Sequence, residues 1–160
     1  MTASGPVAVR AATPADAPAI ARVHACAFRA RGLAPEAFLA QLEEPGRERI
    51  WLPRLPIVVV AGDTGFAWFG PALGLAGAGE LYLVCVDPDR WRTGIGSALM
   101  EATAERLRGM GWSTAVLWTG EANTSARRAY EANGWAPDGA TQTATHTGVP
   151  TPSLRYRRVL

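Results

Sequence analysis

Apolar positions along the chain change period several times, and each change marks an element. Val7 to Arg10 reads as a short strand. Thr13-Pro14-Ala15-Asp16 then opens a helix, with Thr13 as N-cap, Pro14 in the first turn and Asp16 closing a box of the Ser/Thr-x-x-acid kind. Ile20, Val23, Ala27 and Phe28 recur at helical spacing and form its apolar stripe. Pro35 opens a second helix that reaches about Glu44, where Pro45-Gly46 stops it. Pro56 to Ala61 is a β-branched run, Gly62-Asp63-Thr64-Gly65 a turn and Phe66 to Gly70 the return, which predicts an antiparallel hairpin. Pro71 to Gly79 reads as a Gly- and Ala-rich loop, and Glu80-Leu81-Tyr82-Leu83-Val84-Cys85-Val86 as a fourth strand ended by Asp87-Pro88-Asp89. From Gly94 onward Ile95, Ala98, Leu99 and Ala102 fall on one helical face. Ala115 to Thr119 is a fifth strand, Asn123 caps a short helix, and Asn133-Gly134 ends it with Gly in the left-handed position. Trp135 to Thr145 and Ser153 to Leu160 complete the pattern as two strands joined by a turn at Gly148 to Pro152.

This order predicts an α/β (α+β) domain whose mixed central sheet carries helices on both faces. A chain of 160 residues, 48% hydrophobic, suits one folded domain, with residues 1–6 small, polar and expected to be flexible. The net charge of +2 is too mild, and the arginines too dispersed, to argue for a nucleic acid partner. No apolar run approaches the ~20 residues of a membrane span, and no charged segment leads into an apolar one at the start, so a cytoplasmic protein is expected. Cys26 and Cys85 are the only cysteines, each inside a regular element, and read as buried thiols of a reducing compartment. The chain has no lysine, two asparagines and abundant Ala, Gly and Arg, which suggests a GC-rich bacterial genome.

The stretch Arg90-Trp91-Arg92-Thr93-Gly94-Ile95-Gly96-Ser97 carries the chemistry. It joins a strand to a helix N-terminus, where free N–H groups and the helix dipole attract an anion, and Gly94 and Gly96 let a phosphate reach the backbone. A phosphate-binding loop of the Walker A type needs a lysine, which the chain lacks. A dinucleotide fingerprint needs Gly or Ala at position 99, where Leu stands, and an acidic ribose anchor that is not there. The stretch resembles instead the acyl-CoA loop of the GNAT family of N-acetyltransferases, Gln/Arg-x-x-Gly-x-Gly/Ala, with Trp91 at the position that usually holds Gln or Arg. A second block, Leu117 to Trp135, is similar to the family's segment from strand five to helix four: Asn123, the pair Arg127-Arg128, Tyr130-Glu131 and Gly134-Trp135, with Ala129 in place of an aromatic. Leu154 to Arg158 resembles the family's last strand.

The resemblance implies about seven mostly antiparallel strands, the fourth and fifth splayed apart, and about four helices. It implies an acetyl-CoA-dependent N-acetyltransferase that moves the acetyl group directly to a primary amine in a ternary complex, the amine belonging to a small molecule or a protein. Main-chain groups of Val84, Cys85 and Val86 would hold the pantetheine arm, and Arg92, Thr93, Gly94, Ile95, Gly96 and Ser97 the pyrophosphate. Tyr130 matches the tyrosine that protonates the departing thiolate, and Asn123 the asparagine beside the pantetheine. A module that binds acyl-CoA for sensing, without catalysis, is the rival reading, and a homodimer is left open.

Several residues keep two readings. Tyr130 is either the acid or a packed aromatic, and Asn123 a cap, a ligand or both. Arg127 and Arg128 either reach the 3′-phosphate or are solvated. Glu80 is a general base or plain surface; strict alternation puts it on one face with Tyr82 and Val84, and Glu121 is a weaker candidate. Phe28, Leu33, Trp68, Tyr82 and Trp118 are either an acceptor wall or core. His24 reads as an edge histidine and His146 as exposed, and two isolated histidines give no metal site. Cys85 lacks an activating histidine in sequence and is a poor nucleophile.

Overall fold

The computed structural model describes residues 5–160. The flexibility expected of residues 1–6 falls largely on residues 1–4, which lie outside the described residues. In chain order the elements are β1 (Arg10–Ala11), α1 (Ala17–Arg31), α2 (Glu36–Leu42), β2 (Val58–Ala61), β3 (Gly65–Pro71), β4 (Gly79–Val86), α3 (Ile95–Gly109), β5 (Thr114–Gly120), α4 (Thr124–Ala132), β6 (Ala136–Ala144) and β7 (Thr151–Val159). The seven strands form one sheet in the order β1-β2-β3-β4-β5-β7-β6, and every neighbouring pair is antiparallel except β4 and β5. This is the mixed sheet expected, with the mostly antiparallel pairing that the resemblance implies.

Local chemistry explains the element ends. The Asp16 carboxylate accepts from the Thr13 amide at 2.7 Å and from both Arg10 terminal nitrogens at 2.8 Å. The bond with Arg10 holds its pKa down at about 2, and the chain enters α1 through a single 3-10 turn, Pro14–Asp16. Gly32, at φ +68°, ends α1 in the left-handed conformation that a Cβ disfavours.

Two expectations need correction. The first strand lies at Arg10–Ala11 rather than Val7–Arg10, because β2 is only four residues long and offers partners to Arg10 and Ala11 alone. β2 itself begins at Val58, since Pro53 and Pro56 have no amide hydrogen and residues Leu52–Ile57 close into a 3-10 segment instead. That segment and its neighbour, Arg47–Ile50, flank Trp51, which is 2% exposed and anchors both without any periodic pattern.

The sheet separates two apolar clusters. On one face Leu99, Met100 and Leu107 of α3 pack on Val59, Ala61, Ala67, Phe69 and Leu81. On the other, Ile20, Val23 and Ala27 of α1 pack with Trp51 on Val58, Val60, Phe66 and Cys85. Burying each large apolar side chain contributes roughly 1.5–3 kcal/mol, so both helices are fixed by the sheet rather than by their own propensity. Cys85 is buried as expected, but Cys26 is exposed: it lies off the stripe of Ile20, Val23 and Ala27 that meets the sheet.

Helix α3 comes close to the sheet at Gly65. A Cβ on Gly65 would stand 3.0 Å from Ile95 and Leu99 side-chain atoms and 3.2 Å from the Cys85 carbonyl, so the absence of a side chain there sets the height of the start of α3. Gly65→Ala should therefore cost about 1–3 kcal/mol in urea unfolding through overpacking. Wild-type stability in that variant would show that α3 is seated elsewhere.

Candidate functional site

The site forms where two neighbouring strands part. β4 and β5 pair only at Gly79 with Ala115 and Glu80 with Val116. Beyond that point β4 stays with β3 as far as Val86, while β5 is held along its whole length by β7, so each follows its own half of the twisted sheet and a cleft opens. A β-bulge adds to the divergence: Trp68 faces Leu83 and Phe69 faces Leu81, which leaves Tyr82 as the extra residue.

The bulge corrects the strict alternation assumed for β4. Leu81 and Val84 pack with the α3 cluster, whereas Leu83 and Cys85 pack with the α1 cluster and Tyr82 meets Trp68 there, ring centroids 4.9 Å apart. Tyr82 and Val84 thus lie on opposite faces, so Glu80 cannot share one face with both.

Parity also sorts the main-chain groups of the open β4 edge. The Asp87 amide bonds the Thr64 carbonyl at 2.7 Å, so Cys85, two residues back, turns its amide and carbonyl toward β3. Val84 and Val86 turn theirs into the cleft. Both of those carbonyls meet a side-chain donor: Arg31 reaches Val84 at 3.3 Å and the Trp91 indole N–H reaches Val86 at 2.9 Å. Trp91 therefore braces the turn after β4 through its side chain.

Between the strands lies a cavity of about 250 Å³. It is lined by Leu81 to Val84 and Trp118 to Gly120 of the two strands, by Asn123 and Tyr130, by residues of the α1–α2 connection and by the β6–β7 hairpin. The structure brings Val84, Asn123 and Tyr130 together here. Glu80, Cys85, Val86, Arg127 and the turn residues 92–97 do not line it. Phe28, Leu33, Tyr82 and Trp118 do line it, while Trp68 belongs to the core beside Trp51, ring centroids 5.7 Å apart.

The turn after β4 is built for close approach. Arg92 takes φ +63°, a strained value for a residue with a side chain, and Gly94 takes φ +88° just before α3. The helix start has no side-chain cap, so the N–H groups of Ile95, Gly96 and Ser97 have no helical partner. Gly96 has an ordinary φ, and a Cβ there would meet only Val86, at 3.8 Å. The fold itself has room for a side chain at Gly96; the space is of the kind that a bound phosphate would fill.

The titratable groups divide by burial. Glu80 is 6% exposed, its Oε1 has no hydrogen-bond partner among the described residues, and burial raises its pKa to about 7 although the Leu73 amide opposes the rise. Burial also raises the Tyr130 hydroxyl, with the Arg31 cation acting against it, so the phenol is neutral at physiological pH. Burial pushes the Cys85 thiol up to about 11, the opposite of an activated nucleophile. His24 is buried and drops to about 4, from burial first and then from Arg47, Arg31 and His146. Asn123 accepts from the Ala126 amide at 3.3 Å, so it caps α4 and lines the cavity at once. Arg127 bonds the Tyr156 hydroxyl at 3.1 Å and the Glu121 carbonyl at 3.0 Å, committing it to the junction of α4 with β7.

Sequence reasoning missed Arg31 and the hairpin residues His146, Thr147, Thr151 and Ser153, all of which line the cavity. Arg31 carried one local signal, its place as the last helical residue before Gly32; the hairpin residues carried none.

Comparison with known proteins agrees with this geometry. The family model described as "Acetyltransferase (GNAT) family" matches residues 32–135. An uncharacterized N-acetyltransferase YuaI of Bacillus subtilis is 36% identical over 129 residues, covering 74% of this chain and 75% of that protein. The chain belongs to the GNAT family of acetyltransferases. It is also similar to a mycothiol acetyltransferase of Thermobispora bispora, 41% identical over 75 residues; the match covers 44% of this chain and about a quarter (25%) of that relative's length. The crystal structure of the PaiA N-acetyltransferase of Thermoplasma acidophilum, in complex with coenzyme A, superposes with TM-score 0.74 at 14% identity, over 96% of this chain and 98% of that one, and shares its fold. Among the described residues no helix is long and apolar enough to cross a membrane.

The raised pKa of Glu80 has a consequence for stability. Between pH 4.5, the ordinary value, and about 7, the folded state holds a proton that the unfolded state has released, so stability falls as pH rises through this window and is level above it. Glu80→Gln should match wild type below pH 4.5 and exceed it by about 1–3 kcal/mol at pH 8. Urea midpoints across that range test this, and equal stability at pH 8 would place the carboxyl in water.

Proposed function

We propose that the protein transfers an acetyl group from acetyl-CoA directly to a primary amine bound in the same cleft. The observation that carries the reading is the conjunction of an uncapped helix N-terminus, a Gly96 that the fold does not require and a β4 edge left unpaired beside a half-buried tyrosine that lines the cavity. The amides of Ile95, Gly96 and Ser97, with the backbone of Thr93 and Gly94 and the charge of Arg92, would hold the pyrophosphate. Val84 and Val86 would pair with the pantetheine amides as a further strand would, and Asn123 would meet the same arm. The thioester supplies the activated acyl group.

The chain's own groups then handle two protons. Glu80, with its pKa near neutrality and close enough to the cavity-lining Tyr82 to raise that phenol's pKa, takes the proton from the acceptor ammonium through an intervening water, freeing the lone pair that attacks the carbonyl carbon. As the carbon–sulfur bond breaks, the Tyr130 hydroxyl, kept protonated by burial, gives its proton to the leaving sulfur, and the second proton that the nitrogen sheds on becoming an amide passes through water and restores the phenol. Holding both partners in one cleft contributes through orientation alone. Chemistry of this kind involves no covalent enzyme intermediate, in keeping with the unreactive Cys85.

Two variants test the reading. Gly96→Asp puts a negative charge in the phosphate cradle and should weaken CoA binding by about 2 kcal/mol or more in calorimetry, with folding intact because the Cβ has room. Unchanged affinity would move the phosphates elsewhere. Tyr130→Phe keeps the ring and removes the hydroxyl, so kcat in a thiol-release assay should fall roughly 10-fold or more at nearly constant CoA affinity. Full activity would reject the acid; tight CoA binding with no transfer to any amine in the wild type would favour an acyl-CoA sensing module.

A further inference from the structure

The cavity has a sign. Among the described residues no aspartate or glutamate lines it, and its basic residues are Arg31 and His146. Arg31 is half-buried, its guanidinium 5.4 Å from the Phe28 ring centroid; it makes a long hydrogen bond to the Val84 carbonyl, at 3.3 Å, and lies near enough to the Cys85 sulfur to oppose the rise of that thiol's pKa. Six arginines pair with carboxylates among the described residues; Arg31 is one of those that do not, and it is the arginine that lines the cavity. A guanidinium offers five donors in a planar fork that matches a carboxylate, and Arg31, half-buried, presents that fork to the cavity. The Val84 carbonyl is also a group that, on the acetyl-transfer reading above, the pantetheine arm would claim, which would free the guanidinium for an anion.

We infer that Arg31 binds a carboxylate of the acceptor, which makes the acceptor class α-amino acids with an apolar side chain. This rests on the acetyl-transfer reading for the fate of the amine but not for the binding of the carboxylate. Phe28, Leu33, Tyr82 and Trp118 supply an apolar wall for the side chain. At about 250 Å³ the cavity is small for a ligand site, and it must share that space with the thioester end, which suits one amino acid rather than a long peptide. Polyamines and multiply aminated sugars are disfavoured, because no carboxylate lines the cavity to balance their remaining ammonium groups.

The test is calorimetric titration of the protein, alone and saturated with CoA, with L-phenylalanine, L-leucine and L-methionine and with their carboxamides. At least one free acid should bind the wild type 10-fold or more tighter than its amide. Arg31→Gln should abolish that preference, Arg31→Lys should keep part of it, and an unchanged urea midpoint shows that both variants fold. Equal binding of acids and amides, no binding of any acid, or a preference that survives in Arg31→Gln would overturn the inference. Thiol-release assays with the same compounds and with spermidine separate the two readings. Acids that bind through Arg31 but are never acetylated would sink the transferase reading and leave the Arg31 site standing. Spermidine or the amides acetylated as fast as the acids would do the reverse.

Discussion

The parting of β4 from β5 after two residue pairs is the constraint on which the rest of this molecule depends. A sheet normally satisfies every interior main-chain group, and an edge left open inside a fold is expensive unless something covers it. Here the open edge of β4 carries the carbonyls of Val84 and Val86, and the chain covers them with two side chains from different directions, Arg31 from the end of α1 and Trp91 from the turn before α3. Those two contacts mark the groups that a strand-like ligand would use. The cleft is thus an incomplete sheet, kept open because β3 and β7 hold the two strands more extensively than the strands hold each other.

The rest of the site follows from what is anchored to that opening. Helix α3 is fixed to the sheet by Leu99 and Leu107 and lowered onto Gly65, so its bare N-terminus stands at the end of β4 at a set height. The turn that leads to it stores strain in Arg92 at φ +63° and relieves it in Gly94 at φ +88°. Across the cleft, α4 is pinned through the Arg127–Tyr156–Glu131 bonds, 3.1 and 2.9 Å long, which orient the helix that carries Tyr130. Arginine 127, read from sequence as a candidate phosphate ligand, here positions the helix beside the cavity.

Electrostatics then separates groups that look alike in sequence. Glu80, buried without a partner for one oxygen, sits near neutral pKa, while Asp16, bonded to Arg10 near the surface, sits at about 2. Burial raises Tyr130 and Cys85 alike, but it makes one a retained proton donor and the other an inert thiol. Arg31 stands among them without a carboxylate, which gives the cavity a positive character that the nearly neutral net charge of +2 does not reveal.

The sequence by itself determined most of the elements and the glycine turn before α3, because those rest on local chemistry: the Thr13–Asp16 box, the β-branched run before Gly62, the glycines at 94 and 96, and the cap at Asn123. Periodicity also separated the helical stripe of Ile20, Val23 and Ala27 from the strands. Tertiary structure alone decided the bulge at Tyr82, which cancels the alternation that would have joined Tyr82 with Val84, since a bulge arises from pairing with β3 and leaves no mark in β4 itself. It alone left Cys26 in solvent and gathered Arg31, Tyr130 and the β6–β7 hairpin around one cavity, residues more than a hundred positions apart at the extremes. A side chain's partners depend on which strands stay together and which part, and that is settled by the balance of pairing across the whole sheet, a quantity that no local window of sequence contains.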